Sequence, residues 1–472
     1  MAHPVPVGLS EIAGRSEIAG LSEIDWVATG EEAVGLLQSL LRIDTTNAPD
    51  RAPNDTEAAT FLADRLRADG LSPELFEPIP GKGSVVCRLR GDGTGGPPIL
   101  LSGHVDVVPA DPARWSRAPF SGELHDGWIW GRGAIDMKNM VAMECLTLQL
   151  LARHGGRLKR DVIFAGVADE EAGCTWGSMW LTDNHPEKVR AEYAISEIGG
   201  FTLHSGGKRF YPVQVAEKGM CWMTIRAKGT PGHGSLPNKD NPIPKIARAA
   251  ARLGSKRLPH HVTPVVDRFI RKLASHQPLA NRLVLHGLLH APLCGPLLDH
   301  VFPEPSLATT FDANLHNTAN PTMLRAGDKV NQVPGEAFLK VDGRLLPGQT
   351  GADLVREIRA LLGKDGDDLD ITIDHEMPPV LTDPDDAIAG HIGRIIAAHD
   401  PEATVLHTMI PGFTDAKAWS KLGMKCWGFS PVDLPVGTKF TAMFHGDDER
   451  IPVEGYKWGA RALLDLVAAL AL

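Results

Sequence analysis

The sequence predicts an α/β fold in which one layered domain is interrupted by a smaller α+β module. Three observations carry this. Short apolar runs alternate with helical patterns from about residue 29 to 216, the texture of strands with helices on both faces. Near Glu217 the texture changes to strands that alternate apolar and polar residues. After Pro378 the first texture returns.

The elements follow in order. A helix carries Val34, Leu37, Leu40 and Leu41 on one face, and a second follows Asn54 with Phe61, Leu62 and Leu66; both have the 3.6-residue period. Val85–Leu89 and Ile99–Leu101 read as strands, 139–153 as a helix, Val162–Val167 as a strand, 176–184 as a helix and Tyr193–Ser196 as a strand. The Gly-rich run 91–96 satisfies GxGxxG but leads into Pro97-Pro98 and a strand rather than a helix. It therefore reads as a hairpin turn, not a dinucleotide site.

Residues 220–227 (MCWMTIRA) alternate like a half-exposed strand, followed by a helix at 244–253, a strand at 338–345, a helix at 352–362 and a strand at 369–375. This β-α-β-β-α-β order resembles a ferredoxin-like module, enlarged by an insertion at about 254–326. Helices at 387–399 and 456–470 complete the chain. The expected organisation is a repetitive arm at 1–28, the first part of the main domain at 29–216, the inserted module at 217–378, and the second part of the main domain at 379–472.

Composition excludes several classes. The 472 residues carry a formal net charge of −10, which disfavours nucleic acid as a partner. No stretch is long and apolar enough to span a membrane. The arm repeats GLSEIA, GRSEIA and GLSEID with a period of six, which fits neither a secretory signal nor a heptad. Cysteines 87, 145, 174, 221, 294 and 426 include no CxxC pair. The expectation is reduced thiols in a cytoplasmic protein.

Acidic and histidine side chains gather at strand ends. His104 and Asp106 in GHVDVVP are two apart on a strand, so they share a face; such a carboxylate can fix the histidine tautomer. Asp136 lies in GRGAIDMK, Glu170 and Glu171 end the run VIFAGVADEE, Glu197 ends AISE, and His445 lies in FHGDDE. Any one of these is ordinarily a cap or a solvated charge. As an ordered set they suit Zn²⁺ first, with Co²⁺ or Mn²⁺ acceptable. Five ligands with one shared carboxylate suit two ions about 3.5–4 Å apart. The charge of two such ions balances four carboxylates, which would otherwise repel in one pocket.

The motifs GHVDVVP, GRGAIDMK, DEEAG, SEIGG, GTPGHGS and FHGDDE resemble the dizinc aminoacylase/carboxypeptidase family over about residues 30–470. The resemblance implies a zinc-peptidase-like α/β/α catalytic domain interrupted by a ferredoxin-like lid that serves dimerisation. It implies that His104, Asp136 and Glu197 hold one zinc, and that Asp136 (bridging), Glu171 and His445 hold the other. Asp106 then orients His104, Glu170 is the general base, and His233 stabilises the oxyanion, reaching across a homodimer. Asn331, Arg344, Gly412 and Thr414 are the implied substrate contacts, and Phe413 stands where the family usually has a second glycine. The insertion is most like the carboxypeptidase S and fatty-acyl-amino-acid hydrolase branch. The expected activity is hydrolysis of the amide bond of N-acyl amino acids or short peptides with a free carboxylate. A strict dipeptidase or carboxypeptidase, or an inactive binding protein on the same fold, remain as alternatives. His286, His290 and Cys294 recur at i+4 in the insertion but lack the Glu of HExxH, and no GxSxG elbow is present.

Overall fold

The computed structural model describes residues 21, 23–302 and 305–472. Most of the repetitive arm therefore lies outside the described residues. The chain divides into two compact units, one comprising 1–215, 382–407 and 414–472, the other 216–381 and 408–413.

The first unit is built on a mixed sheet. Its strands run in the order Glu74–Phe76, Ser84–Leu89, Val162–Val167, Ile99–His104, Tyr193–Ser196, Lys425–Gly428 and Lys208–Glu217. Ile99–His104 is parallel to Val162–Val167 and to Tyr193–Ser196, which is parallel to Lys425–Gly428. Three of these strands are wholly buried, which explains their unbroken apolar runs. Because they are parallel, their C-terminal ends open on one edge, where α/β sheets place their sites. Helix Trp26–Leu41 starts on Asp25, whose side chain accepts from the backbone N–H of Val27 and Ala28. It packs with helices Lys138–His154 and Val453–Ala471.

The Gly-rich run is not a hairpin turn. Ser84–Leu89 and Ile99–His104 both pair with Val162–Val167, which lies between them, antiparallel to the first and parallel to the second. Residues 91–96 cross over that intervening strand, and Gly91 N–H donates to the Asp161 carboxylate at 2.8 Å. A small three-stranded sheet of Glu123–His125, Trp128–Trp130 and Arg450–Pro452 joins the GRGAID and FHGDDE segments.

The second unit is a four-stranded antiparallel sheet in the order Thr318–Ala326, Glu336–Leu345, Gly219–Lys228, Leu369–Met377. Numbered along the chain this order is 2-3-1-4, the ferredoxin-like arrangement. Met223, Ile225, Leu339 and Val341 pack with Ile246, Leu354 and Ile358 of helices Pro242–Ser255 and Gly351–Leu362. Trp222 remains exposed, as period-two alternation requires. The stretch at 254–326 holds helices Pro264–Ser275, Leu279–Gly287, Ala291–His300 and Pro305–Leu315. Its final segment, Thr318–Ala326, is an edge strand of the sheet rather than added chain, and Pro321 sits at its register shift, a position that tolerates a missing N–H. Lys218 Nζ pins this end of the insertion, donating to the carbonyls of Ala313 and His316 at 2.9 Å each.

Candidate metal centre

Three parallel strands deliver three parts of the site. His104 ends Ile99–His104, and Glu197 follows Tyr193–Ser196. Val162–Val167 leads to a short 3₁₀ turn, Glu170–Ala172, that carries both glutamates. Asp136 and His445 come from the two segments linked by the small sheet.

These side chains converge within the first unit. His104 Nε2 lies 3.2 Å from Asp136 Oδ1 and 3.7 Å from Glu197 Oε2. His445 Nε2 lies 3.2 Å from Asp136 Oδ2 and 3.2 Å from Glu171 Oε1. Asp136 thus turns one oxygen to each histidine, the disposition of a bridging carboxylate. Glu170 Oε2 lies 3.8 Å from His104 Nε2. Ligand atoms of His104, Asp136 and Glu171, and of His104, Glu170 and Glu197, all fall within 4.8 Å of one another.

The donor set fits divalent metal. Tetrahedral bonds of about 2.0–2.1 Å place ligand atoms roughly 3.3 Å apart, close to the spacings around both histidines. His104 Nδ1 is 3.0 Å from the Asp106 carbonyl oxygen, which can only accept, so Nδ1 carries the proton. Nε2 then turns a lone pair toward carboxylates, an arrangement that a proton or a cation must satisfy. Burial pushes Glu170 well above the usual carboxylate range, and the negative charges of Glu197 and Glu171 push it further. Burial likewise pushes Glu197 up to about 8. Asp136 is also penalised by burial, but its contacts with the His104 and His445 imidazoles hold it below the usual range. Those same two carboxylates, Asp136 and Glu171, raise His445 to about 10.

Asp106 lies just beyond the strand rather than on it. Its carboxylate is 3.6 Å from His104 Nδ1, so the tighter contact to that histidine is through its main chain. The carboxylate instead accepts the backbone N–H groups of Glu170 and Glu171, each at 3.1 Å. Asp106 therefore fixes both the histidine and the glutamate turn.

In the second unit, His233 is exposed and pairs with Gln332. Its Nδ1 accepts the Ser235 N–H at 3.2 Å, which leaves Nε2 as the donor. Asn331 is exposed, and its carbonyl accepts the Gly234 N–H. Arg344 forms a bidentate pair with Asp342, at 2.8 and 3.1 Å, and its guanidinium lies 5.5 Å above the Phe413 ring. Its third nitrogen, Nη1, is buried without a hydrogen-bond partner. Around Gly412 there is open space where a side chain would stand. In the first unit, Thr414 is buried and its hydroxyl accepts the Ala416 N–H.

Several supporting residues escaped sequence reasoning. Glu449 is fully buried; it accepts the N–H groups of Ile135 (2.6 Å), Asp136 (3.0 Å) and Gly133 (3.0 Å) and pairs with Arg132 at 2.7 Å. Arg132 in turn donates to the Gly446 carbonyl at 2.8 Å, so one ion pair ties the Asp136 segment to the His445 segment. Asn47 donates to Asp106 at 2.7 Å. Asp415 is buried and bonded by the Ser178 hydroxyl; burial raises it to about 6. Of these, Glu449 and Arg132 lie inside motifs already singled out, FHGDDE and GRGAIDMK, and Asp415 directly follows the implied substrate contact Thr414. His286, His290 and Cys294 are not among the metal-competent groups of the described residues, and His290 instead begins the helix that contains Cys294.

Comparison with known proteins identifies the family. The profile of Peptidase family M20/M25/M40 matches residues 100–469. The N-fatty-acyl-amino acid synthase/hydrolase of Bos taurus is 27% identical, covering 91% of this chain and 86% of its own. A probable carboxypeptidase S-like protein of Dictyostelium discoideum is 26% identical over 79% of this chain and 72% of its own. A succinyl-diaminopimelate desuccinylase of Methylorubrum extorquens is 33% identical over 47% of this chain and 56% of its own. Among solved structures, an M20 family metallo-carboxypeptidase from Sulfolobus solfataricus superposes with a TM-score of 0.67 at 18% identity, covering 93% of this chain and 99% of that one. The chain therefore belongs to peptidase family M20/M25/M40, metal-dependent hydrolases that act on amide bonds.

Proposed function

We propose that the protein hydrolyses the amide bond of N-acyl amino acids or short peptides that carry a free carboxylate, using two zinc ions per subunit, with Co²⁺ or Mn²⁺ as acceptable substitutes. The observation that carries this reading is Asp136 with one oxygen at each histidine, beside the buried Glu170. His104, Asp136 and Glu197 would hold one ion, and Asp136, Glu171 and His445 the other. Bound there, the ions would polarise the scissile carbonyl and acidify the attacking water.

The protein's own groups do the rest. Glu170 takes the proton of the attacking water and later delivers it to the leaving nitrogen. His233, protonated on Nε2, donates to the oxyanion. Arg344 is held by Asp342 and Phe413 with Nη1 uncommitted, and it takes the substrate carboxylate through charge-assisted hydrogen bonds. Asn331, Gly412 and Thr414 belong to the same recognition set.

The N-acyl amino acid reading draws on the relative from Bos taurus, which matches over most of both chains. The ferredoxin-like unit ends in an edge strand, Thr318–Ala326, with Met323 and Leu324 exposed; we propose a homodimer through this edge in the cytoplasm. No helix among the described residues is long and apolar enough to cross a membrane. The test is to load the purified protein with Zn²⁺, Co²⁺ or Mn²⁺ and assay N-acetyl and long-chain N-acyl amino acids beside dipeptides. Hydrolysis confined to substrates with a free carboxylate supports the reading; two bound metals with no turnover on the panel refutes it.

A further inference from the structure

Behind the glutamate turn lies a charged cluster of which only Asp106 has so far been given a role. Asp55, Asp106 and Asp169 are almost completely buried, at 1%, 0% and 3% exposure. Lys82, at 5% exposure, is the cation among them. Its Nζ lies 2.9 Å from Asp169 Oδ1 and 3.2 Å from Asp55 Oδ2. Asn47 Nδ2 joins the set, 2.7 Å from Asp106 Oδ2 and 3.4 Å from Asp169 Oδ1.

The cluster grips the turn from both sides. Asp169 directly precedes Glu170 and has a left-handed backbone, with φ 70° and ψ 16°. That conformation is unfavourable for a residue with a side chain unless its surroundings hold it. Its other carboxylate oxygen accepts the Trp176 N–H at 3.0 Å, and its carbonyl accepts the Cys174 N–H at 2.7 Å. Asp106 holds the N–H groups of Glu170 and Glu171. The side chains that fix this turn are thus two buried carboxylates, and a buried carboxylate needs a counter-charge to stay ionised and in place.

We infer that Lys82 is a positioning residue for the reaction: by pairing with Asp169 and countering Asp106 it holds the turn that aims Glu170 at the attacking water. This rests on the reading of Glu170 as the general base. Among the described residues, the ion pairs of Lys82 run to Asp55 and Asp169 and not to Glu170 or a metal ligand. Its removal should impair the proton transfer more than metal binding or substrate binding.

The test separates aim from stability. Lys82→Met alone leaves Asp55 and Asp169 uncompensated and is expected to unfold more easily. The double variant Lys82→Met/Asp55→Asn removes one of the two orphaned carboxylates along with the cation and relieves part of that cost, yet still leaves Asp169 without its partner. In the full-length, zinc-loaded protein, assayed on its best N-acyl amino acid, the double variant is expected to have a higher thermal midpoint than Lys82→Met alone and to stay folded at the assay temperature. It should bind two metal ions and hold KM within about twofold, with kcat at least about tenfold lower, the scale of a misaimed catalytic group. Lys82→Arg should restore kcat to within about threefold, because the charge is kept. Recovery of kcat together with stability in the double variant overturns the inference, as does loss of metal in step with kcat, or failure of the double variant to fold. A Glu170→Gln arm tells the two readings apart: near wild-type turnover there removes the general base itself, whereas recovery in the double variant removes only the role of Lys82.

Discussion

Replacing Glu449 by glutamine should loosen the metal centre without touching a ligand. The Glu449 carboxylate is fully buried, and each of its oxygens has two donors: Ile135 and Asp136 N–H on one, Gly133 N–H and Arg132 on the other. Arg132 is 2% exposed and lies 5.1 Å over the Trp115 ring. Glutamine of the same shape removes the charge and points an NH₂ group at donors. It leaves the Arg132 cation buried without its counter-ion, a change that costs about 3–5 kcal/mol. Because the pair joins the Asp136 and His445 segments, metal affinity should also fall, by about 10–100-fold as for other outer-shell partners. Denaturant unfolding of the metal-free protein and competition titration with a chelating zinc indicator measure the two effects. Adding Arg132→Met should recover part of the lost stability, since the orphaned charge is then gone. A Glu449→Gln protein within about 0.5 kcal/mol of wild type, with unchanged zinc affinity, would refute the clamp.

Further outcomes follow from other sites. Arg344→Lys keeps the charge but loses the planar pair with Asp342 and the stack on Phe413; KM for carboxylate-bearing substrates should rise about 10-fold or more with kcat less affected, in steady-state kinetics. His445→Ala should lower the number of zinc ions retained after dialysis from two to one. It removes a donor to Asp136 and Glu171 but none near Glu197. Burial lowers the Lys218 ammonium to about 7 from 10.5. Between those values the unfolded chain binds the extra proton, so this group makes stability rise with pH, by at most about 1.4 kcal/mol per unit. The penalty is complete below pH 7 and gone above pH 10.5. Lys218→Met should flatten that part of the stability–pH curve relative to wild type, as measured by denaturant midpoints.

The legibility of the chain tracks how local each feature is. The buried parallel strands announced themselves as short apolar runs, and acidic residues or histidine at their ends pointed to the site edge. The alternation of residues 220–227 and 338–345 was equally plain, because each strand has one covered face. The pairing of strands was not legible. Ser84–Leu89 and Ile99–His104 are neighbours in sequence, yet the strand Val162–Val167, much further along the chain, separates them, and no local signal encodes that register. The strands Lys208–Glu217 and Thr404–Ile410 also went unread; the first contains a proline, and both mix polar with apolar residues. At the site, the residues that the structure brings together are those with motif context. Lys82, Asn47 and Arg132 gain their meaning only from partners far along the chain. Asp342 and Arg344 share a strand face by simple alternation, but the Phe413 ring beneath Arg344 arrives from another segment.

The most direct measurement pairs metal content with turnover in wild type and Glu170→Gln, both loaded with zinc and assayed on the same N-acyl amino acid. The expected result is two metal ions bound in each protein, turnover in the wild type that stops on chelation and returns with zinc, and a loss of about 10²–10⁴-fold in kcat for the variant. Undiminished turnover in Glu170→Gln, or wild-type hydrolysis that survives complete removal of metal, would contradict the reading of this centre.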